Sequence, residues 1–205
     1  MPLSKQTCRA ALWLLCLISL QLLCWSCAVG PDTSSSYDRT ANFATFQTYA
    51  WYKAELPPRI AGSGAAYSTL LDQQVKLATE SELVKNGLRP SEESPDLLVA
   101  YDIALPATAA GEADTVFASG FGYGYSYWYG YRYRYDVTGI STYRNIAELT
   151  PGTLVIDLID PNTNRLIWRG LYEAGIDPVV AGEQEISRAV ASVMSQYPPV
   201  PLAGQ

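Results

Sequence analysis

The sequence predicts an α+β fold, an antiparallel sheet of about four to five strands with two helices packed on one face and a Gly/Tyr-rich insertion. Three observations predict it. Residues 152–170, GTLVIDLIDPNTNRLIWRG, read as two strands joined by a run of turn formers. Two stretches, 65–86 and 183–196, carry aliphatic residues at helical spacing and stop at Gly87 and at Tyr197-Pro198-Pro199. Between them, Leu97, Val99, Tyr101 and Ile103 recur at every second position. With 205 residues the chain holds one domain, a targeting segment and an insertion, and is short for two ordinary domains.

The chain opens on Lys5 and Arg9, followed over 10–23 by an apolar run interrupted only by Ser19 and Gln21, the pattern of an export signal. The run falls short of the roughly 20 residues that a membrane-spanning helix needs. Cys24-Trp25-Ser26-Cys27 closes it, and the leader here resembles a bacterial lipoprotein signal, in which a small residue, Ser26, precedes the cysteine that is acylated. That resemblance implies a signal peptide over 1–27, lipidation at Cys27 and a membrane partner through the lipid. The alternatives are cleavage to a soluble periplasmic protein and retention of the leader. Ala28 after the cysteine, by analogy with lipoprotein sorting, implies an outer-membrane protein facing the periplasm. Residues 28–40, with Gly30, Pro31 and three consecutive serines, are expected to form a flexible tether to a domain at 41–199, with a tail at 200–205.

Within the domain, 45–52 reads as a strand with rings on both faces, Phe43, Thr45, Gln47 and Tyr49 alternating with Ala44, Phe46, Thr48 and Ala50, and is ended by Leu56-Pro57-Pro58. The helix 65–86 is expected to bury Leu71, Val75, Ala78, Leu83 and Val84, with Gly87 as its C-terminal cap and Leu88 folding back on the last turn. A strand over 96–105 follows Pro95. The insertion, 106–136, contains FGYGYSYWYGYRYRY, with Tyr123, Tyr125, Tyr127, Tyr129, Tyr131, Tyr133 and Tyr135 at every second position. A single extended segment would line up all seven rings, but so long a strand is rare and a break near Gly130 is expected. One reading is a low-complexity insertion, mobile or folded as a loose aromatic hairpin. The other is a binding surface of those seven tyrosines and Trp128, flanked by Arg132 and Arg134 and suited to sugar rings, headgroups or a partner's aromatic groups. Residues 137–148 are expected to form a further strand. In the hairpin, Leu158 opposite Trp168 brings Asp157 opposite Arg169 and puts Leu154, Ile156, Leu158, Trp168 and Tyr172 on the core side. Asp157 and Arg169 then form a favourable cross-strand pair. The last helix begins with Glu183 and Glu185, favoured by its dipole, and buries Ile186, Val190, Val193 and Met194.

Composition narrows the chemistry. The net charge of −6 becomes about −8 once Lys5 and Arg9 leave with the leader, which opposes binding to phosphate backbones, and two arginines are too few for a nucleic-acid groove. There is no histidine, and all four cysteines lie within the first 27 residues. The body therefore lacks the commonest general base, the commonest zinc ligand, any thiol nucleophile and any disulfide. No cofactor or metal is expected. Paired carboxylates are the remaining route to catalysis, with Asp157, Asp160 and Asp102 as candidates for a glycan-acting enzyme.

Taken in order, ANFATFQTYAW, a helix ending in LVKNGL, PDLLVAY, the Gly/Tyr-rich insertion, GTLVIDLIDPNTNRLIWRG and a closing helix running into YPP resemble the bacterial domain of unknown function family 4136 over 37–199. The resemblance implies an exported, often lipidated envelope domain and carries over no activity or catalytic residue. The expected function is a non-catalytic envelope lipoprotein that binds or scaffolds an envelope protein or glycan. Two alternatives stay open, the carboxylate-dependent enzyme and a structural subunit of an envelope assembly.

Overall fold

In the computed structural model, the residues described are 32–52, 69–104, 121–126, 131–177 and 180–199. The leader with Cys27, the 200–205 tail and Tyr127, Trp128 and Tyr129 lie outside them. Eight strands form one sheet: β1 (Asp32–Tyr37), β2 (Thr48–Trp51), β3 (Arg89–Pro90), β4 (Leu97–Ile103), β5 (Phe121–Ser126), β6 (Tyr131–Asp136), β7 (Leu154–Asp160) and β8 (Arg165–Glu173). Their order is β3-β2-β4-β7-β8-β6-β5, with β1 also paired to β8. Among the described residues, the two α-helices are α1 (Thr69–Lys85) and α2 (Glu183–Met194).

The β7–β8 hairpin is the centre, and its register is the one charge and alternation predict. Leu158 stands opposite Trp168 and Asp157 opposite Arg169. Its turn is closed by Asp160, whose carboxylate accepts from the Asn162 backbone N–H at 2.9 Å and the Thr163 hydroxyl at 2.8 Å. Asn164 takes the left-handed conformation, φ 51°, that asparagine tolerates. Leu154, Ile156, Leu158 and Trp168 are fully buried with Leu71, Val75 and Leu83 of α1 and Ile186, Val190 and Val193 of α2. Both helices thus cover one face, as expected. Tyr172 packs partly buried against the same core. Gly170 lets α2 approach closely, since a Cβ there would stand 2.4 Å from Val193 Cγ1 and from the Trp168 ring.

Four expectations are corrected. The sheet is wider than four or five strands and is mixed, because β2 runs parallel to both β3 and β4. Asp96 holds that parallel junction, accepting from the backbone N–H groups of Gln47 and Thr48 at 2.9 Å and from the Thr48 hydroxyl at 2.8 Å. The 28–40 tether is overturned from residue 32 onward: DTSSSY is strand β1, antiparallel to β8 from Asp32 opposite Glu173 to Tyr37 opposite Trp168. Its side chains give no apolar alternation, and the β8 edge supplies the ladder instead. The strand expected over 137–148 is absent; Thr138 N–H bonds Asp136 Oδ1 at 2.8 Å, backbone turns follow at Ile140 and Tyr143, and a 3-10 turn spans Ile146–Glu148. Finally, Val84 is 56% exposed and leaves the buried side of α1, whereas Leu88 folds back as expected, its N–H on Leu83 O at 3.0 Å beyond Gly87 with φ +88°.

Candidate functional site

The sheet face away from the helices is also buried, and it holds the charged groups. Because residues two apart on a strand share a face, Val155, Asp157, Arg169 and Leu171 project to this side. In β4, Ala100 stands opposite Asp157 and Asp102 opposite Val155, so the two acids lie diagonally on adjacent strands. The loop 137–149 and the end of β6 close over them, packing Ile140, Leu149 and Tyr135 onto the sheet.

Asp157 and Arg169 form a buried two-pronged pair. Nε of Arg169 donates to Asp157 Oδ1 at 2.7 Å and Nη2 donates to Oδ2 at 2.7 Å. Nη2 also donates to the Tyr135 hydroxyl at 2.7 Å, and that hydroxyl donates to Asp157 Oδ2 at 2.6 Å. Nη1 donates to the Arg144 carbonyl at 2.7 Å, and the Tyr143 ring lies 4.5 Å from the guanidinium centre. Burial is the largest single influence on Arg169 and opposes its charge, but Asp157, Tyr135 and Tyr143 together outweigh it and hold the guanidinium pKa well above its ordinary value. Burial pushes the Tyr135 and Tyr143 phenols up, so both are neutral at physiological pH.

Asp102 is the exception in this network. Its Oδ1 accepts from the Ile103 N–H at 2.7 Å, whereas its buried Oδ2 has no hydrogen-bond partner among the described residues. Burial raises its pKa well above the carboxylate range; Asp157 adds to the rise, and the Ile103 N–H and Arg169 oppose it. Two acids on one face therefore sit in unlike environments, one paired with a cation and one with an empty oxygen.

The sequence-predicted residues separate. Asp157 and Asp102 come together with Tyr135, while Asp160 belongs to the hairpin turn. Tyr135 is fully buried and so drops out of the expected tyrosine surface, because its hydroxyl is needed between Arg169 and Asp157. Strands β5 and β6 pair antiparallel, with Tyr123 opposite Arg134, Tyr125 opposite Arg132 and Tyr133 opposite Gly124. Within this pairing no tyrosine stands opposite another; the rest of the expected ladder, Tyr127 and Tyr129, lies outside the described residues. β5 also comes close to β4. Sequence reasoning missed Tyr143 and the burial of Arg169. The available signal was LVIDLID, apolar on both faces around its first acid, which requires cover on both sides.

Among the described residues no group of His, Cys, Asp and Glu is gathered to hold a metal ion, and no helix is long and apolar enough to cross a membrane. No curated protein matches the chain. Two crystal structures resemble it. A DUF4136 family protein from Bacteroides thetaiotaomicron shares 14% identity at a TM-score of 0.49, over 82% of this chain and 94% of that one. A PDZ domain protein from Parabacteroides distasonis shares 17% identity at a TM-score of 0.46, over 82% of this chain but 35% of its own length. The family of domains of unknown function DUF4136 matches residues 33–199, and the chain belongs to that family.

Proposed function

We propose that the chain is a non-catalytic cell-envelope lipoprotein whose body binds or scaffolds a partner, held at the outer membrane through an acylated Cys27 and facing the periplasm. One observation carries the non-catalytic part: the Asp157, Arg169 and Tyr135 side chains satisfy one another inside the sheet, where they hold the fold rather than meet a substrate. The anchor rests on the leader pattern ending at Cys27. Mass analysis of the membrane-extracted protein tests it: an acylated N-terminal Cys27 is expected, and an unmodified Cys27 overturns the anchor. Crosslinking in the envelope, with 120–136 deleted as a comparison, tests the tyrosine-rich arm; partners unchanged by the deletion discard it as the binding surface.

A second reading, a glycan-acting enzyme, draws on Asp102 and Asp157, two acids on one face with unlike surroundings beside tyrosines. Turnover of an envelope glycan by the purified protein, abolished by Asp102→Asn in a variant that still folds, would favour it. Absence of turnover leaves the scaffold reading.

A further inference from the structure

Helix α1 is apolar on two opposite sides. Leu71, Val75 and Leu83 enter the core, while Leu70, Leu77 and Val84 are 62%, 67% and 56% exposed. These are three of the four large aliphatic residues left open among the described residues. They are seven residues apart, and at 3.6 residues per turn they fall within about 40° of one another around the helix. Gln73 and Ser81, also exposed, complete the stripe. The outward face therefore carries no charge along its length, unlike the charged solvent face of an ordinary surface helix. The neighbouring charges lie on the two flanks, Lys85 paired with Glu82 at 2.7 Å on one and Asp72, Lys76 and Glu80 on the other. Lys76 pairs with Asp72 at 3.1 Å and lies 5.6 Å from the Trp51 ring, and Trp51 Nε1 donates to Glu80 at 2.8 Å.

Aliphatic residues recurring every seven positions are what a second helix packs against. The spacing also says which helix fits. Leu77 lies midway between Leu70 and Val84, so a two-fold axis through Leu77 lays α1 antiparallel on its own copy. Leu77 then meets Leu77 of the second copy, and Leu70 meets Val84 at both ends. That operation brings like flanks together. Lys76 of one copy comes level with Glu80 of the other, offset by about 3 Å along the axis at 1.5 Å per residue; this attraction occurs twice, against a single approach of the two Lys76 at the same offset. A parallel pairing offers neither this exchange nor the opposed helix dipoles.

We propose that two copies of the chain associate through α1 as an antiparallel pair centred on Leu77. The interface is one helix wide, about 25 Å long, which places it among small, reversible contacts. The inference does not rest on the lipid anchor.

Disulfide trapping with the full chain in detergent micelles, at about 10 µM to 1 mM to suit a reversible contact, tests it. Peptide mapping separates the engineered link from the four leader cysteines. Leu77→Cys is expected to link to itself at least tenfold faster than Val180→Cys, an exposed position off the helix. Leu70→Cys alone is expected not to link, because antiparallel copies hold those positions roughly 20 Å apart, beyond disulfide reach. A mixture of Leu70→Cys and Val84→Cys chains links. Leu77→Lys is expected to weaken the association seen by sedimentation at least tenfold with an unchanged unfolding midpoint. Self-linking of Leu70→Cys as fast as that of Leu77→Cys means a parallel pair and overturns the proposal. Equal rates at Leu77 and Val180 overturn it as well. So does binding to phospholipid vesicles that Leu77→Lys abolishes without any self-linking, which assigns the stripe to the bilayer.

Discussion

Replacing Arg169 by Met strands a carboxylate inside the protein. In the native fold Asp157 accepts two hydrogen bonds from Arg169 and one from Tyr135; after Arg169→Met only the Tyr135 hydroxyl is left. Removing one partner of a buried ion pair costs about 3–5 kcal/mol, because the other charge stays desolvated and unpaired. At about 1.4 kcal/mol per factor of ten, this raises the unfolded fraction by two to three and a half orders of magnitude. It is a large share of the roughly 5–15 kcal/mol that a domain has in total. For a body of this size the midpoint should fall by about 6–20 °C. Urea unfolding followed by the fluorescence of buried Trp168 measures it, with an unchanged slope expected. The combined change Asp157→Leu, Arg169→Met and Tyr135→Phe removes the three side-chain polar groups of the network, leaves only the Arg144 carbonyl without its Arg169 donor, and should recover at least half of the loss. The reasoning is refuted if Arg169→Met costs under about 1 kcal/mol, or if the triple variant is as unstable as the single losses added together.

Three further outcomes follow from the same structure. Asp102 has its folded pKa raised, so the folded protein holds a proton that the unfolded chain releases above about pH 4, and stability falls as pH rises from there towards the folded value. Asp102→Asn should therefore be more stable than the parent at pH 7, by about 1–3 kcal/mol, with the gain fading near pH 4; urea midpoints at both pH values measure it. Burial lifts Tyr197 to about 12 and raises Tyr49, Tyr135 and Tyr143, so stability is lost as pH climbs beyond the ordinary phenol range near 10, and the tyrosinate absorbance of these rings should appear together with unfolding. Gly170→Ala should cost about 1–3 kcal/mol in urea unfolding, since its methyl group displaces Trp168 or Val193.

Where a local pattern decides the structure, the sequence was readable. The hairpin register follows from alternation and one charge pair, and the end of α1 follows from Gly87 and Leu88. The missing parts are those set by distant partners. Nothing in DTSSSY marks a strand, because its ladder is provided by β8 and its side chains contribute little. Residues 137–148 look extended by composition, yet Asp136 and local turns fold them over Asp157. The cross-strand pair Asp157–Arg169 was legible, and its burial was not, since burial depends on a loop and a hairpin arm whose placement no local pattern records. Tyr135 was misplaced for the same reason. Its alternation with other tyrosines suggests a ladder, whereas the hydroxyl is claimed by two charged groups beneath it.

The pairing of β1 with β8 has a consequence for how the body comes to be made. The segment that is synthesised first in the body must wait for a strand roughly 130 residues later before its backbone finds a mate, a long loop to close and a slow step in forming the sheet. Until then the nascent β8 edge is a template for any passing strand. A chain trimmed at Ser36 would keep its hairpin and both helices yet tend to polymerise, and the humble serine-rich entry segment would act as a built-in guard against that fate.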